Sequence, residues 1–217
     1  DLTTFKELSD ILTLKRKSEG MLAFIEHENN FIEDKDGNII SIEEKNNGTA
    51  GKMIENAMIL YNYCESSYLN FIIGTSINRV HDSPDQDKLM DAFDKIHNLG
   101  YNLPKIGSMT TAQYIQTILN MYQNENDYPI ISDIILKALP RAHYSIYPTG
   151  HFGLGLDFYT HSTSPIRRYP DLKAQQIIDS YEQGKLYEIE DNNTLEAICE
   201  HCSMKEQEAE ALEREVE

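Results

Sequence analysis

The sequence has 217 residues, of which 40% are hydrophobic and 25% charged, and it carries a formal net charge of −17. This composition is typical of a water-soluble globular domain that is large enough to bury a core. No stretch approaches the roughly 20 consecutive apolar residues that span a bilayer, and the amino end lacks the pattern of a signal peptide. We therefore expect a cytoplasmic protein that does not engage a membrane. The acidic charge also argues against general nucleic-acid binding, because affinity for phosphate comes mainly from Lys and Arg.

Cysteine usage and the chain ends lead to two further expectations. The three cysteines, Cys64, Cys199 and Cys202, favour a reducing compartment over a disulfide framework. The run Cys199-Glu200-His201-Cys202 contains possible zinc ligands, but no second pair stands at a suitable spacing. We therefore favour a buried helix face for these cysteines. The chain begins without Met and stops inside a charged helical pattern, which indicates part of a longer protein.

Hydrophobic periodicity and turn signals predict a mainly helical α+β fold with small β elements. The first half contains a helix with a Thr4–Glu7 capping box that ends near Gly20, a strand at 21–25, a hairpin around Asp36-Gly37, a long helix near 50–73 and an extended segment at 77–84. The second half contains a helix capped by Ser83 and Pro84 and running to Asn98, helices near 110–124 and 130–139, β segments at 141–147 and 151–160, a helix at 169–183 and a terminal helix.

Two of these helices carry an apolar face that we expect to be buried. The face of the long helix consists of Ile54, Ala57, Met58, Tyr61, Cys64, Tyr68 and Ile72. The face of the terminal helix consists of Leu195, Ile198, Cys199, Cys202, Ala209, Leu212 and Val216. The acidic residues of the terminal helix are expected to face solvent.

One stretch, HFGLGLDFYTHSTSPIRRYPDL, combines glycines, hydroxyls and two arginines. The guanidinium groups of Arg167 and Arg168 present forks of donors that match phosphate oxygens, and Thr163 and Ser164 add neutral donors. A helix that begins near Tyr169 would direct its amino-terminal dipole to the same space. These features predict an anion site. The alternative is an ordinary surface arginine pair next to a bulged, glycine-containing strand.

The same stretch resembles the signature of the RNB family of exoribonucleases, the ribonuclease II and ribonuclease R enzymes. Three other segments are similar to family landmarks and occur in family order: MIENAMILYN at 53–62, RVHDSP at 79–84 and HCSMKEQEAEALEREVE at 201–217. The RVHD and HCSM forms fit the ribonuclease R branch better. The resemblance implies that residues 1–217 are the carboxy-terminal part of an RNB catalytic domain.

The resemblance also implies an activity. Family members degrade single-stranded RNA from the 3′ end and release nucleoside 5′-monophosphates by Mg²⁺-dependent hydrolysis. The family's metal ligands are four clustered aspartates near the start of the domain, and no segment of this chain matches them. We therefore expect the Mg²⁺ ligands upstream of Asp1, and we expect residues 1–217 alone to be inactive. Flanking OB-type domains would share the binding of the strand.

Several residue roles follow from the resemblance. Arg167 matches the catalytic arginine that contacts the scissile phosphate, and Arg168 occupies the neighbouring basic position. Glu55 matches a carboxylate near the terminal ribose, where accepting a hydrogen bond from the 2′-hydroxyl would favour RNA over DNA. Glu213 matches a carboxylate near the 3′ end of the substrate. Tyr169, with Asp171, is expected to brace the arginine loop, Thr163 and Ser164 to contact substrate, and Asn62 to order the site around Glu55.

The sequence departs from the family pattern in two places. The family often has Glu-Glu where this chain has Glu55-Asn56, and a His-Arg pair where it has residues 173–176, Lys-Ala-Gln-Gln. These departures concern the detailed substrate contacts and leave Arg167 unchanged, so they do not alter the family assignment. Two other functions also stay open. One is a non-catalytic RNA-binding scaffold on the same fold, and the other is a helical module that binds nucleotides or phosphoproteins.

Overall fold

The structure is a computed structural model that describes residues 1–24, 29–35, 39–44 and 48–216. Within these ranges the chain forms seven α-helices: α1 (Leu2–Glu19), α2 (Gly48–Tyr68), α3 (Gln86–Asn98), α4 (Thr111–Tyr122), α5 (Tyr128–Ala138), α6 (Tyr169–Glu182) and α7 (Asn192–Val216). Helix α2 continues as a π-helical turn, Leu69–Ile73. The predicted mainly helical α+β class is confirmed. None of the described helices combines the length and the apolar character needed to cross a membrane.

Four short strands complete the fold, in two antiparallel pairs. Strand β1 (Asn29–Glu33) pairs with β2 (Ile39–Glu44), as the hairpin prediction requires, although its turn at Asp36-Gly37 lies outside the described residues. Strand β3 (Asn78–Val80) pairs with β4 (His143–Ser145), which joins two segments more than 60 residues apart. The strand predicted at 21–25 is absent at 21–24, and residue 25 is not described.

The predicted helices form, but two of their predicted caps are wrong. The side chain of Asp1, and not that of Thr4, accepts from the first free amides of α1. Likewise Asp85, and not Ser83, caps α3. In both places a carboxylate lies close enough to the first turn to outcompete the hydroxyl. Gly20 does end α1, with φ of 103°.

Two hydrophobic clusters form the core. The first joins α3, α4 and α5 through fully buried side chains such as Ile96, Ile115 and Ile131. The second joins the π-helical turn, β4, α6 and α7, and it includes Leu69, Ile177, Leu195 and Cys199. Cys199 is thus on a buried helix face, as predicted, and burial raises the pKa of its thiol to about 12.

The prediction for the buried face of α2 is wrong. The buried residues of this helix include Asn56, Asn62 and Ser66, whereas Ile54 and Tyr61 keep 54% and 47% of their surface exposed. The polar face is buried because α1, β3 and the segment near 160 offer it hydrogen-bond partners. The apolar face therefore remains on the surface of the described residues.

The segment after β4 also differs from the prediction. Residues 151–160 form a 3₁₀ turn, Phe152–Leu154, followed by an extended stretch, instead of a paired strand. Gly155 has φ of 64°, and a Cβ there would lie 2.8 Å from the backbone nitrogen of Met21. The glycine therefore serves the close approach of this segment to the end of α1 rather than a bulged strand or a ligand.

Candidate functional site

The two arginines of the predicted anion site lie on an exposed turn that leads into α6. The carbonyl of Ser164 accepts from the backbone amides of Arg167, at 3.2 Å, and Arg168, at 3.0 Å, and closes the turn. Ile166 at the tip is 97% exposed. The Arg167 side chain is exposed and has no ion pair with any described residue.

Asp171 in the first turn of α6 holds this turn in place. Its carboxylate is fully buried and accepts from Arg168 Nε at 2.8 Å, from Arg168 Nη2 at 2.6 Å and from the Ser164 amide at 2.8 Å. A bidentate pair of this kind fixes the plane of the guanidinium as well as its position. Arg168 is therefore held by the protein, whereas Arg167 is available to a ligand.

Asn62 on α2 aligns the extended segment that precedes the turn. Its Oδ1 accepts from the Ser162 amide at 3.1 Å, and its Nδ2 donates to the Tyr159 hydroxyl at 2.8 Å. Both side chains are buried, so removing either one would leave a buried polar group of the other without its hydrogen-bond partner.

A cavity of about 540 Å³ opens between α2 and this extended segment. We call it the Glu55 cavity. Glu55, Thr163 and Arg168 all line it, together with Ile54 and Met58 from the exposed apolar face of α2. Glu55 also pairs with Lys52, whose Nζ is 2.9 Å from both carboxylate oxygens. The Oγ1 atom of Thr163 is buried and has no hydrogen-bond partner among the described residues, so its hydroxyl is available within the wall.

The wall of the Glu55 cavity also contains His161, which is held neutral. Burial, followed by the charges of Arg168 and Arg79, lowers the pKa of His161 to about 2. Its Nδ1 lies 3.0 Å from the Tyr144 hydroxyl. The imidazole therefore contributes shape and hydrogen bonding to the cavity near neutral pH, and no positive charge.

The remaining predicted site residues lie outside the cavity lining. Tyr169 is the first residue of α6 and is half exposed. Ser164 contributes its backbone to the turn, through the amide bound by Asp171. Glu213 is exposed near the end of α7 and does not line the Glu55 cavity. Three of the seven predicted residues, Glu55, Thr163 and Arg168, thus share one cavity, with Arg167 on the adjoining turn.

Two residues that were not predicted, Tyr159 and His161, also line the cavity. Tyr159, His161 and Thr163 alternate along an extended segment and all line the cavity, because side chains on every second residue of an extended chain share a side. That alternation was the signal that could have identified them.

The departure from the family pattern at residues 173–176 is accommodated inside the protein. Lys173 is buried and pairs with Glu190. Gln175 donates to Ser162 Oγ at 2.7 Å and to Glu65 at 3.2 Å, so it supports the extended segment at the same residue whose amide Asn62 binds. These residues therefore stabilise the site locally and do not line its cavity.

The donors needed for Mg²⁺ are not gathered in the described part of the chain. No three His, Cys, Asp or Glu side chains there form a group that could hold a metal ion. Glu55 is the one carboxylate among the described residues that line the Glu55 cavity. These residues do not fit a magnesium site, so no chemical step is assigned to a metal on them.

Comparison with known proteins identifies the family. The RNB domain profile matches residues 1–184. The chain belongs to the RNB family. It is 32% identical over 216 residues to ribonuclease R 1 of Lactococcus lactis, an alignment that covers 97% of this chain and 26% of that protein. The chain therefore spans about a quarter of the length of this relative.

Solved structures with the same fold support the assignment. The structure of Mycoplasma genitalium RNase R in complex with double-stranded RNA is similar with a TM-score of 0.89 and 27% identity, over 99% of this chain and 39% of that one. Yeast Ssd1, described as a pseudonuclease, is similar with a TM-score of 0.61 and 25% identity, over 71% of this chain and 19% of that one.

Proposed function

We propose that the protein is a hydrolytic exoribonuclease that degrades single-stranded RNA from the 3′ end and releases nucleoside 5′-monophosphates. The observation that supports this most is the Glu55 cavity, which a carboxylate, a buried hydroxyl and a fixed arginine line. The exposed Arg167 is the neighbour of Arg168 on the adjoining turn and does not itself line the cavity. A volume of about 540 Å³ is within the range of small-ligand sites and can receive a terminal nucleotide.

In this proposal the two arginines have different roles. Arg168 is held by Asp171 and supplies a fixed positive field to the cavity wall. Arg167 has no carboxylate partner among the described residues, so its fork can bind the scissile phosphate and stabilise the charge that develops during hydrolysis. The turn is closed by two backbone hydrogen bonds and is exposed. The Arg167 side chain can therefore reach an RNA strand without any rearrangement of the turn.

In this proposal, Glu55 and the apolar residues of α2 contact the sugar and the base of the terminal nucleotide. Glu55 accepts a hydrogen bond from the ribose 2′-hydroxyl, which distinguishes RNA from DNA. Ile54 and Met58, exposed on the same helix, offer apolar surface to the nucleotide. Thr163 adds a hydroxyl donor. Tyr169 and Glu213 remain candidate substrate contacts at longer range.

Magnesium dependence is part of the proposal, with the Mg²⁺ ligands on chain that precedes Asp1. A metal held there would supply Lewis-acid chemistry, and the residues of this chain would bind and orient the strand. Residues 1–217 alone are then expected to bind RNA weakly and to release no mononucleotide. We place the activity in the cytoplasm, where the three free thiols would remain reduced.

The test is mononucleotide release from a labelled oligoribonucleotide by the full-length protein with Mg²⁺. Arg167→Ala is expected to lower kcat by about 100- to 1000-fold with little change in RNA affinity, because the lost contact is strongest in the transition state. Arg141→Ala is the matched control, since it also removes an exposed arginine but one that pairs with Glu210. Equal activity in the two variants would refute the role of Arg167.

The likeness to yeast Ssd1 favours a second candidate, a non-catalytic RNA-binding scaffold. This candidate predicts RNA binding without mononucleotide release by the full-length wild-type protein at any Mg²⁺ concentration. In that case Arg167→Ala would lower the affinity for RNA and make that affinity less dependent on salt concentration, and there would be no hydrolysis rate to measure. The wild-type assay therefore separates the two functions before any variant is made.

A further inference from the structure

A second cavity, of about 330 Å³, lies between α1, α2 and the segment that follows the 3₁₀ turn. We call it the Arg16 cavity. It is distinct from the Glu55 cavity, although Ile59 contributes to both. The approach of Gly155 to the end of α1 forms one of its walls. No role in the proposed RNA hydrolysis requires this space.

The guanidinium of Arg16 is buried in this wall, and no carboxylate of the described residues pairs with it. Arg16 is 6% exposed and makes no ion pair with any described residue. Its Nη2 donates to Asn56 Oδ1, and its Nη1 is buried with no hydrogen-bond partner among the described residues. Buried charges in proteins are normally paired, because an unpaired one loses the solvation that water provides.

The orientation of Asn56 is fixed by α1, so this residue offers Arg16 a neutral oxygen. Asn56 Nδ2 donates to the Ser9 carbonyl at 3.1 Å, to Ser9 Oγ at 2.6 Å and to Thr13 Oγ1 at 2.9 Å. A carbonyl can accept and cannot donate, so the amide nitrogen must face α1 and the amide oxygen must face Arg16. The strongest nearby negative charge is that of Glu55, whose carboxylate pairs with Lys52.

We infer that the Arg16 cavity is a binding site for a phosphate group, with Arg16 Nη1 as its charged donor. The guanidinium fork matches phosphate geometry, and a phosphate would supply the missing negative charge and acceptor together. Leu12, Leu60 and Tyr63 give the rest of the cavity apolar surface, which could receive the sugar or base of a nucleotide. The site stands independently of the proposed RNA hydrolysis.

The carboxylates of the cavity lining that would repel a phosphate are exposed to water. Glu19 and Asp157 also line the cavity, and both are exposed. Lys15 Nζ lies 3.8 Å from Glu19 Oε1, and Lys15 also lines the cavity, so its charge partly neutralises that of Glu19. Water screens these carboxylates far more than it screens the buried guanidinium, so the electrostatic preference inside the cavity is set by Arg16.

The experiment measures binding of inorganic phosphate to the full-length protein by calorimetry, at constant ionic strength in chloride buffer. The key variant is Asn56→Asp, which is isosteric and places a carboxylate on Arg16. It should weaken phosphate binding at least about tenfold, because the guanidinium loses its free charge. Asn124→Asp is the matched control, since it makes the same charge change at an exposed position, and it should bind as the wild type does.

Two further variants separate this site from the arginine turn. Arg16→Met should abolish phosphate binding in the Arg16 cavity, and Arg167→Ala should leave binding in that cavity intact. Asn56→Asp replaces the donor that faces the Ser9 carbonyl with an oxygen, so it should lower Tm modestly. Its phosphate affinity, compared with that of Asn124→Asp, keeps the test valid if Arg16→Met does not fold. Equal phosphate affinity in Asn56→Asp and Asn124→Asp, or loss of all binding in Arg167→Ala alone, would overturn the inference.

The source of the phosphate is resolved by comparing inorganic phosphate, adenosine 5′-monophosphate and adenosine. Tighter binding of the nucleotide than of inorganic phosphate, with both lost in Arg16→Met, identifies a nucleotide site. Equal binding of the two identifies a site for the phosphate group alone. Equal binding of adenosine and its monophosphate would show that the apolar wall and not Arg16 selects the ligand, and would refute the inference.

Discussion

Replacing Asp171 by Asn tests the geometry on which the proposed site depends. The substitution preserves the size of the side chain and removes the charge that binds Arg168. Three hydrogen bonds converge on the carboxylate, at 2.6 to 2.8 Å. An amide can keep the two accepted by Oδ1, but it must then direct an N–H toward the N–H of Arg168 Nε, where two donors repel.

The expected cost follows from burial on the two sides of the pair. Breaking a fully buried ion pair costs about 3–5 kcal/mol. Asp171 is fully buried, whereas Arg168 keeps 23% of its side chain exposed and can recover some hydration. We therefore expect Asp171→Asn to lower the free energy of unfolding by about 2–4 kcal/mol.

Urea denaturation of the full-length protein gives the free energy of unfolding, and Asp10→Asn provides the control. Asp10 pairs with Lys6 at 2.6 Å, but both side chains are more than half exposed, so its loss should change stability by less than about 0.5 kcal/mol. Under the proposed function Asp171→Asn should also slow mononucleotide release, since Arg168 loses its fixed position. Equal stability changes in the two variants would refute the view that Asp171 holds the arginine turn.

Two further predictions concern the surroundings of the site. Gly155→Ala should lower the free energy of unfolding by about 2–4 kcal/mol, because it adds a clash with Met21 to the strain of a positive φ. Gly184→Ala has the same strain but meets open space, so it should cost about 1 kcal/mol. Similar losses in the two variants would contradict the close contact between Gly155 and Met21. Burial, with the charges of His81 and Arg79, lowers the pKa of His151 to about 3, and that of His161 is about 2. The unfolded chain then binds more protons below pH 6.5, so stability is complete above that pH and falls by about 2 kcal/mol per ring at pH 5. His161→Asn should remove about 1.1 kcal/mol per pH unit from the average slope between pH 5 and 6.5, and an unchanged slope would exclude this ring as a source.

The helices of this chain are predictable because their signal is local. The apolar periodicity of α4 and α5 matches their bounds within two residues, since the residues that repeat along the sequence are those that pack in the first core cluster. The pairing of β3 with β4 was not predictable in the same way. It depends on the contact between two short segments that are far apart in sequence, and three-residue strands carry almost no pattern of their own.

The burial of α2 could not be predicted from hydropathy because its partners are polar. Asn56 and Asn62 are buried by hydrogen bonds to α1 and to the segment near 160, and neither contact has a signal in the sequence of α2 itself. The same reason explains the partial success at the site. The motif containing Thr163 and Arg168 predicted residues of the cavity, whereas the alternation of Tyr159 and His161 with Thr163 shows which side faces the cavity only once the position of α2 is known.

The conflict between a strongly acidic chain and an anion site is resolved by how the arginines are used. Arg79 and Arg141 pair with Glu206 and Glu210 of α7, so part of the acidity of that helix is neutralised inside the fold. Arg168 is committed to Asp171. Among the arginines whose side chains the structure describes, this leaves Arg167 on the surface and Arg16 in the interior without carboxylate partners. An anion is attracted by the uncompensated charge near it and is screened from charge beyond about 10 Å. The net charge of −17 is therefore compatible with the phosphate contacts proposed for these two arginines.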